Sequence, residues 1–180
     1  NVTERHRMGA LDVKEEIIVD AFAGIGYYSL PLLIHGKAAH VHACELNPES
    51  IKALQWAAQK NEVSQSITIH KGDNQTTLPA LNRIADRVLL GLLPSSKAAW
   101  KLAVLALKEQ GGSMHIHMNV EEEHIEKWTE DTIQTCLNYA REDGRDWYCS
   151  HQHLEKVKWY APRVRHVVLD VSFSSSNSAS

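Results

Sequence analysis

An apolar run that ends in an acidic residue and a glycine turn constrains the fold of this chain more than any other feature. Ile17, Ile18 and Val19 lead into Asp20, and the Gly24-Ile25-Gly26 turn follows within a few residues. This pattern is typical of a buried strand that ends in a tight loop and leads into a helix. Glycines there let the backbone approach a ligand closely, because no Cβ stands in the way. The pattern predicts a ligand site at the end of the first strand.

Two later strands also end in polar residues. Glu45 ends the second predicted strand nineteen residues after Gly26, a spacing that suits an acid gripping the two hydroxyls of an adenosine ribose. Asp73 and Asn74 follow the third predicted strand and are placed to hydrogen-bond an adenine edge. Successive strand ends form the expected ligand edge of an open α/β sheet. The three signals together predict an adenosine-containing ligand.

The residues around the turn favour one cofactor class over another. A dinucleotide site carries a third glycine and holds a pyrophosphate on the helix N-terminus. Here Ser29 occupies the third glycine position, Tyr27 and Tyr28 crowd the turn, and Asp20 would repel a pyrophosphate. An acid suits a cationic ligand instead. S-adenosylmethionine (SAM) carries a sulfonium and an ammonium but no phosphate, so the sequence favours SAM over NAD.

Alternating strand and helix patterns predict an α/β fold. We expect a Rossmann-like SAM-dependent methyltransferase fold, with a mostly parallel seven-stranded sheet, helices on both faces and an antiparallel C-terminal edge pair. Residues 1–173 are predicted to form one SAM-binding catalytic domain, and the serine-rich residues 174–180 a disordered tail. The predicted strands cover residues 16–23, 40–46, 66–71, 85–93, 113–120, 147–159 and 166–173. The predicted helices cover residues 27–35, 48–61, 78–84, 97–109 and 125–144.

Composition limits the other possibilities. The 180 residues are 43% hydrophobic and 23% charged, which is ordinary for a globular domain. No apolar run is long enough to span a membrane, and no signal peptide is visible. The odd number of cysteines, without a C-x-x-C pattern, favours reduced thiols and a cytoplasmic location. The chain begins at Asn1 without methionine, so we expect that an N-terminal domain of the full protein is absent.

Histidines and basic residues leave alternatives open. Three histidine pairs at i, i+2 spacing each share one face of a predicted strand, but no H-E-x-x-H or C-x-x-C motif accompanies them, so no metal is expected. The formal net charge is −3, whereas a nucleic-acid-binding domain is usually basic. Two basic patches could contact RNA or be ordinary solvated surface. They are Arg5-His6-Arg7 and the run Lys156, Lys158, Arg163, Arg165 and His166.

Several segments resemble a group of tRNA-modifying enzymes. Residues 20–31 and 43–48 resemble the first motifs of the tRNA guanine-37 N1-methyltransferases and of the related wybutosine-synthesising aminocarboxypropyltransferases. The similarity continues through most of the first 120 residues and has a C-terminal counterpart in residues 160–170. The further matching segments are residues 1–5, 72–74, 85–96 and 115–120.

One phrase distinguishes the two branches of this group. The methyltransferases carry an asparagine where this chain has Gly91, and an asparagine amide there can hold the target guanine. The G-L-L-P-S-S phrase that begins at Gly91, together with the His115-Ile116-His117 strand, resembles the aminocarboxypropyltransferase branch, the second enzyme of the eukaryotic wybutosine pathway. Residue by residue, the same stretch also fits an ordinary strand end with a helix cap.

The resemblance implies a reaction and a partner. The activity implied is transfer of the 3-amino-3-carboxypropyl group of SAM to 4-demethylwyosine at position 37 of tRNA-Phe. The alternative is a SAM-dependent tRNA guanine-37 N1-methyltransferase. The partner implied is tRNA-Phe, with no membrane involved. Because phosphate neutralisation supplies much of the affinity for nucleic acid, a chain of net charge −3 is expected to bind tRNA weakly by itself.

The resemblance also implies roles for residues of the site. The turn residues Phe22, Ala23, Gly24 and Gly26 would face the methionine part of SAM. Arg5 would bind its carboxylate, since a guanidinium can do so through two parallel hydrogen bonds.

The remaining roles fall on carboxylates and one amide. Glu45 would accept bonds from the ribose hydroxyls, and Asp73 and Asn74 would hold adenine. Glu4 matches the position of a proposed general base in the methyltransferases, and the catalytic residue of the aminocarboxypropyltransferase branch stays open.

Overall fold

The computed structural model of the protein describes residues 2–176. Within this range the strands are β1 Ile17–Asp20, β2 His40–Glu45, β3 Ile67–Lys71, β4 Arg87–Leu90, β5 Gly111–Glu121, β6 Trp147–Ala161 and β7 Val164–Ser175. The α-helices of the same range are α1 Val2–Gly9, α2 Ser29–Ile34, α3 Pro48–Lys60, α4 Asn74–Thr77, α5 Trp100–Ala106 and α6 Ile125–Glu142.

The strands form one seven-stranded sheet in the order β3-β2-β1-β4-β5-β7-β6. Strands β1 to β5 run parallel to their neighbours, whereas β7 pairs antiparallel with both β5 and β6. One buried cluster contains Leu32 and Leu54 of α2 and α3, and another contains Trp100 and Cys136 of α5 and α6. The predicted fold is confirmed, including the helices on both faces and the antiparallel C-terminal strands.

Several predicted boundaries are confirmed and others need correction. Asn47 caps α3 as expected, since its side-chain oxygen accepts a 2.9 Å hydrogen bond from the Glu49 N–H. The helix predicted over 78–84 is replaced by α4 and a 3₁₀ turn at Leu78–Leu81, because Asp73 caps a helix that begins earlier. The helix α1 did not emerge from the sequence at all.

The prediction of a disordered tail over residues 174–180 is wrong for its first residues. Ser174 and Ser175 belong to β7, where Ser174 pairs with Gly111 of β5 and with Tyr148 of β6. Strand pairing supplies the backbone hydrogen bonds that the serine-rich composition alone did not suggest. Residues 177–180 lie outside the described residues.

The last three strands project beyond the others at the edge where the parallel strands end. Strand β4 stops at Leu90, opposite Ile116, but β5 continues five residues further to Glu121. At about 3.3 Å per residue, the β5–β7–β6 wall extends about 16 Å past the end of β4. The loop after β4 follows this wall, because the Asn119 N–H donates to the Pro94 carbonyl at 3.1 Å. A corner therefore forms between the loop and the wall.

A chain of alternating charges fastens α1 to the sheet. The Arg7 guanidinium donates to both Glu4 carboxylate oxygens, at 2.7 and 2.8 Å, and to both oxygens of Asp170 on β7. Asp170 also accepts from His115 Nδ1 of β5 at 2.7 Å. Burial alone would raise the pKa of Asp170, but the hydrogen bonds from His115 and Arg7 outweigh burial and hold that pKa well below its usual value.

The charge chain continues across the sheet to the strand that begins the fold. Arg87 of β4 donates to His115 Nε2 at 2.7 Å and makes two hydrogen bonds to Glu16, at 2.9 and 3.1 Å. A guanidinium has no acceptor, so His115 Nε2 must accept and the ring proton must sit on Nδ1, facing Asp170. The charge chain therefore links five parts of the fold, which are α1, β7, β5, β4 and the residue before β1.

Replacing Asp170 with asparagine should destabilise the fold. The change leaves the Arg7 guanidinium and the His115 ring without their shared carboxylate, so we expect a loss of about 2–4 kcal/mol in the free energy of unfolding, measured in urea at pH 7. Because the folded pKa of Asp170 is lowered, its contribution is fully present above about pH 4 and is lost as the pH falls further.

An exposed ion pair provides the control for this prediction. Glu49 and Lys52 lie on the surface of α3 with 3.6 Å between their charged atoms. Glu49→Gln should change the free energy of unfolding by less than about 0.5 kcal/mol. An Asp170→Asn protein as stable as Glu49→Gln at pH 7 would contradict the importance given to the charge chain.

Candidate functional site

A cleft of about 170 Å³ opens where β1, β2 and β3 end. The structure brings four predicted site residues to its walls, namely Phe22, Glu45, Asp73 and Asn74. The other lining residues are Ala21, Cys44, Leu46 and Gly72. The three polar strand ends that the sequence singled out therefore meet at one edge, as the parallel sheet requires.

Glu45 holds the two loops that flank the cleft. Its Oε1 accepts a 2.7 Å hydrogen bond from the Gly24 N–H, and its Oε2 accepts a 2.9 Å bond from the Asn47 N–H. A carboxylate offers about four lone-pair positions, so both oxygens can accept further bonds from a ligand. Glu45 thus organises the site and still has acceptor capacity for hydroxyl groups.

The two glycines of the turn differ in the space that a side chain would meet. Gly24 has φ +57°, and a Cβ built on it would meet no atom within 4 Å. Gly26 has φ +93°, and a Cβ there would lie 2.7 Å from Leu54 Cδ1 and 2.9 Å from Leu30 Cγ. The space beside Gly24 is therefore open to a ligand, whereas Gly26 is required by packing. Ala23 is buried and donates its N–H to the Cys44 carbonyl at 3.0 Å.

Asp20 supports the turn from inside. Its carboxylate accepts a 2.6 Å hydrogen bond from the Ser29 hydroxyl and a 3.3 Å bond from the Phe22 N–H. Burial raises the pKa of Asp20 to about 6, and the negative charge of Glu45 adds to that shift, while the two hydrogen bonds oppose it. A positively charged ligand close to Asp20 would favour its ionised form.

Asp73 and Asn74 are partly occupied within the protein. Asp73 Oδ1 accepts from the Gln75 N–H at 2.8 Å and caps α4, while the residue itself is exposed at the cleft. The Asn74 amide donates to the Ala21 carbonyl at 3.0 Å. Asn74 therefore joins the loop after β3 to the loop after β1. The second carboxylate oxygen of Asp73 accepts no hydrogen bond from the described residues.

Helix α1 places the two remaining predicted residues next to the turn but outside the cleft. Arg5 is exposed, with its guanidinium 5.7 Å from the centre of the Tyr27 ring, and it lines a separate cavity of about 320 Å³ with Pro31. None of the described residues forms an ion pair with Arg5. Glu4 is buried, with its carboxylate held by Arg7.

A second group of polar and aromatic side chains lies in the corner beside Gly91. A Cβ built on Gly91 would come within 3.4 Å of the Tyr28 ring. That ring lies 5.3 Å from the ring of His117, and His117 Nδ1 is 2.9 Å from His166 Nε2. The sequence indicated Gly91 and His117 as candidate residues. The contacts of His117 with Tyr28 and His166 could not be predicted from strand alternation.

Within residues 2–176, the side chains close enough to share a metal ion are Glu121, Glu123 and His124, all exposed. No helix in the same range is both long and apolar enough to cross a membrane.

Comparison with known proteins identifies close relatives. A family model described as the TRM5/TYW2 methyltransferase domain matches residues 1–144. The "tRNA wybutosine-synthesizing protein 2/3/4" of Arabidopsis thaliana is 47% identical over 171 residues, which cover 95% of this chain and 17% of the plant protein. The "tRNA wybutosine-synthesizing protein 2 homolog" of Danio rerio is 39% identical over 202 residues, covering 95% of this chain and 49% of the fish protein. The chain spans about half or less of the length of these relatives.

Solved structures agree with the sequence comparison. M. jannaschii TYW2, crystallised in complex with AdoMet, matches with a TM-score of 0.87 and 30% identity over 97% of this chain and 76% of that chain. P. horikoshii TYW2, crystallised with MeSAdo, matches with a TM-score of 0.84 and 34% identity over 98% and 63% of the two chains. Trm5b from Pyrococcus abyssi gives a TM-score of 0.77 and 26% identity over 96% and 48%.

Alanine substitutions should separate the two glycines of the turn. Gly26→Ala combines a positive φ with a contact that real Cβ atoms do not make, so we expect a loss of about 2–4 kcal/mol in the free energy of unfolding. Gly24→Ala meets only the cost of a left-handed backbone, about 1–2 kcal/mol. Urea unfolding of both variants tests this order, and equal losses would show that Leu30 and Leu54 do not pack against Gly26 as described.

Proposed function

The chain belongs to the family of TRM5/TYW2 methyltransferase domains, and from that premise we propose that it transfers the 3-amino-3-carboxypropyl group of SAM. The acceptor in this proposal is 4-demethylwyosine at position 37 of tRNA-Phe. The observation that carries the proposal is the cleft at the ends of β1 to β3, which Glu45 and Asp73 line and where Glu45 also binds the N–H of Gly24, a residue with open space beside it. The relatives named as wybutosine-synthesising proteins support the choice of reaction.

The residues of the cleft fit the adenosine part of SAM. We assign the ribose hydroxyls to Glu45, whose oxygens keep acceptor capacity beyond their bonds to backbone N–H groups. The exposed carboxylate of Asp73 suits the adenine amino group, a donor. Asn74 and Phe22 line the cleft without supplying charge, and the buried Ala23 supports the turn through its bond to the Cys44 carbonyl.

The methionine arm has a different set of neighbours. The open side of Gly24 leaves room for the methionine arm of SAM. Gly26 keeps the turn beneath the arm tight. Arg5 is exposed next to Tyr27 and has a free guanidinium for the carboxylate of the arm. The buried Asp20 lies under the same turn, and a sulfonium or ammonium nearby would stabilise its charged form.

SAM supplies a sulfonium with three activated carbons, and the protein decides which one reacts by orienting it. In aminocarboxypropyl transfer, the acceptor base forms a bond to the γ-methylene carbon and gives up a proton to solvent water. The bond between that carbon and sulfur breaks, its electron pair stays on sulfur, and neutral methylthioadenosine leaves. A neutral thioether needs no acid to depart, so the residues have only to align the reactants. Glu4 is buried against Arg7, and we assign it to the anchoring of α1 rather than to proton transfer.

Gly91 favours this reaction over base methylation. In the methyltransferases an asparagine at this position can hold guanine, but here the position has no side chain and the Tyr28 ring lies beside it. The acceptor must therefore be held by other groups. The alternative activity, methylation of guanine at position 37 of tRNA, is the contrasting outcome of the experiment below.

The tRNA partner follows from the family, and the manner of its binding is part of the proposal. With a formal net charge of −3, the chain is expected to bind tRNA weakly by itself. A cytoplasmic location also stays a prediction. The thiols of Cys44, Cys136 and Cys149 are free in the structure, and a reducing compartment would keep them so.

Two isotopic labels in SAM test the proposed reaction directly. The protein is incubated with tRNA-Phe carrying 4-demethylwyosine and with SAM labelled either in the carboxyl carbon or in the methyl group. We expect the carboxyl label to enter the tRNA and the methyl label to leave as methylthioadenosine, because the γ-carbon is the one attacked. Mass analysis of the digested tRNA and of the small-molecule product measures both.

One result of the same experiment would contradict the proposal. Transfer of the methyl label, with release of S-adenosylhomocysteine, would replace the proposal with the methyltransferase activity. Unmodified tRNA serves as the control acceptor, since the proposed reaction requires the tricyclic base.

A further inference from the structure

The corner beside Gly91 contains polar atoms that the donor site does not use. We call the following residues the corner pocket: Tyr28, His117, Asn119 and His166. His117 and Asn119 lie on β5 beyond the last residue paired with β4, on one face because strand side chains alternate. His166 lies on β7 directly opposite Asn119. The corner pocket therefore stands at the ligand edge of the sheet, beside the donor cleft rather than within it.

Two buried atoms of the corner pocket have no hydrogen-bond partner in the described part of the chain. They are Asn119 Oδ1 and His166 Nδ1, on residues paired across neighbouring strands. A third such atom, Trp128 Nε1, belongs to α6. A buried polar atom left without a partner costs roughly 1–3 kcal/mol, so two adjacent ones at a ligand edge indicate a group that binds there.

The chemistry of the corner pocket suits a planar neutral ligand. Burial lowers the pKa of His117 to about 3 and that of His166 to about 4, and each ring also lies close to other positive or titratable groups. Two neutral imidazoles that share one hydrogen bond leave His166 Nδ1 as either a donor or an acceptor, next to the acceptor Asn119 Oδ1. Such a pair matches the hydrogen-bonding edge of a purine-type base, whereas a phosphate would need a cation.

Aromatic and basic neighbours complete the match to a nucleotide. The half-buried Tyr28 ring packs on His117 and lies beside Gly91, and a base could stack on the exposed part of that ring. Lys158 on β6 lies directly opposite His166, is exposed, and forms no ion pair with the described residues. Lys158 therefore lies at the outer rim of the corner pocket, where its ammonium group could pair with a solvent-exposed phosphate of the same nucleotide.

We propose that the corner pocket holds the target base of the RNA, with Asn119 and His166 as its hydrogen-bonding groups. This inference rests on the proposed function, which supplies the nucleotide as acceptor. Because neither polar atom is exposed, the side chains that cover them must move when the base binds. Asn119 and His166 would then take over the recognition that an asparagine at position 91 provides in the methyltransferases.

A comparison of two RNAs isolates the contribution of the base. The probes are an anticodon stem-loop of tRNA-Phe with 4-demethylwyosine at position 37 and the same stem-loop with an abasic site there. Fluorescence anisotropy at low salt gives the ratio of their dissociation constants for each protein variant. For the unchanged chain we expect about tenfold tighter binding of the RNA that carries 4-demethylwyosine. Asn119→Leu and His166→Gln should reduce that ratio to near one, with binding of the abasic RNA unchanged.

The chain contains a matched control for this test. His42 Nδ1 lies 3.0 Å from His70 Nε2 on β2 and β3, so His42→Gln breaks an equivalent histidine pair away from the corner. His42→Gln should keep the tenfold ratio. Asn119→Leu should also unfold at a temperature no lower than the unchanged chain, because it removes an unsatisfied buried atom.

The outcomes separate this inference from the proposed function. A ratio near one for the unchanged chain, or a ratio kept by both Asn119→Leu and His166→Gln, would overturn the corner pocket as the base site. Equal loss in His42→Gln would overturn it too, since the effect would then be structural. If the label experiment shows no aminocarboxypropyl transfer while the base-dependent ratio behaves as expected, the proposed reaction fails and the corner pocket stands.

Discussion

The contact between Arg7 and Asp170 is the one on which the position of α1 beside the site depends. It joins the first helix to the seventh strand and, through His115 and Arg87, to the centre of the sheet. Helix α1 carries Arg5, so the position of that guanidinium next to the turn follows from this anchor. Buried charges are costly unless each has a partner. In this charge chain, each carboxylate faces a guanidinium or an imidazole. The same electrostatic arrangement that fixes α1 therefore also specifies one packing of the C-terminal strands.

The length of the strands divides the site into two parts. Strand β4 is short, whereas β5 continues past it, so the sheet edge is stepped rather than level. The lower step carries the cleft with Glu45 and the open side of Gly24. The higher step carries His117 and Asn119, with Gly91 at the angle between them. A donor on the lower step and an acceptor against the higher step would face each other across Gly91, which explains why a position without a side chain suits the corner.

The sequence predicted the parts of the site that depend on local patterns. The glycine turn, the acidic strand end at Glu45 and the parallel order of the strands all follow from short-range periodicity and spacing. The charge chain could not be predicted, because Arg7 and Asp170 are 163 residues apart and only the fold brings them together. Gly26 shows the same limit. Its pattern indicated ligand access, but its neighbours Leu30 and Leu54 make it a packing residue, and those contacts depend on how α2 and α3 meet the turn.

The central claim, that the adenosine of the donor lies against Glu45, is tested most directly by calorimetry with methylthioadenosine. The measurement compares the unchanged chain with Glu45→Ala and with Glu49→Ala, an exposed acid on α3 four residues away. We predict that Glu45→Ala weakens binding by about 1–3 kcal/mol, through loss of the hydroxyl partner and of the support for Gly24. Glu49→Ala should bind like the unchanged chain. A folded Glu45→Ala protein that binds methylthioadenosine with unchanged affinity would contradict the account.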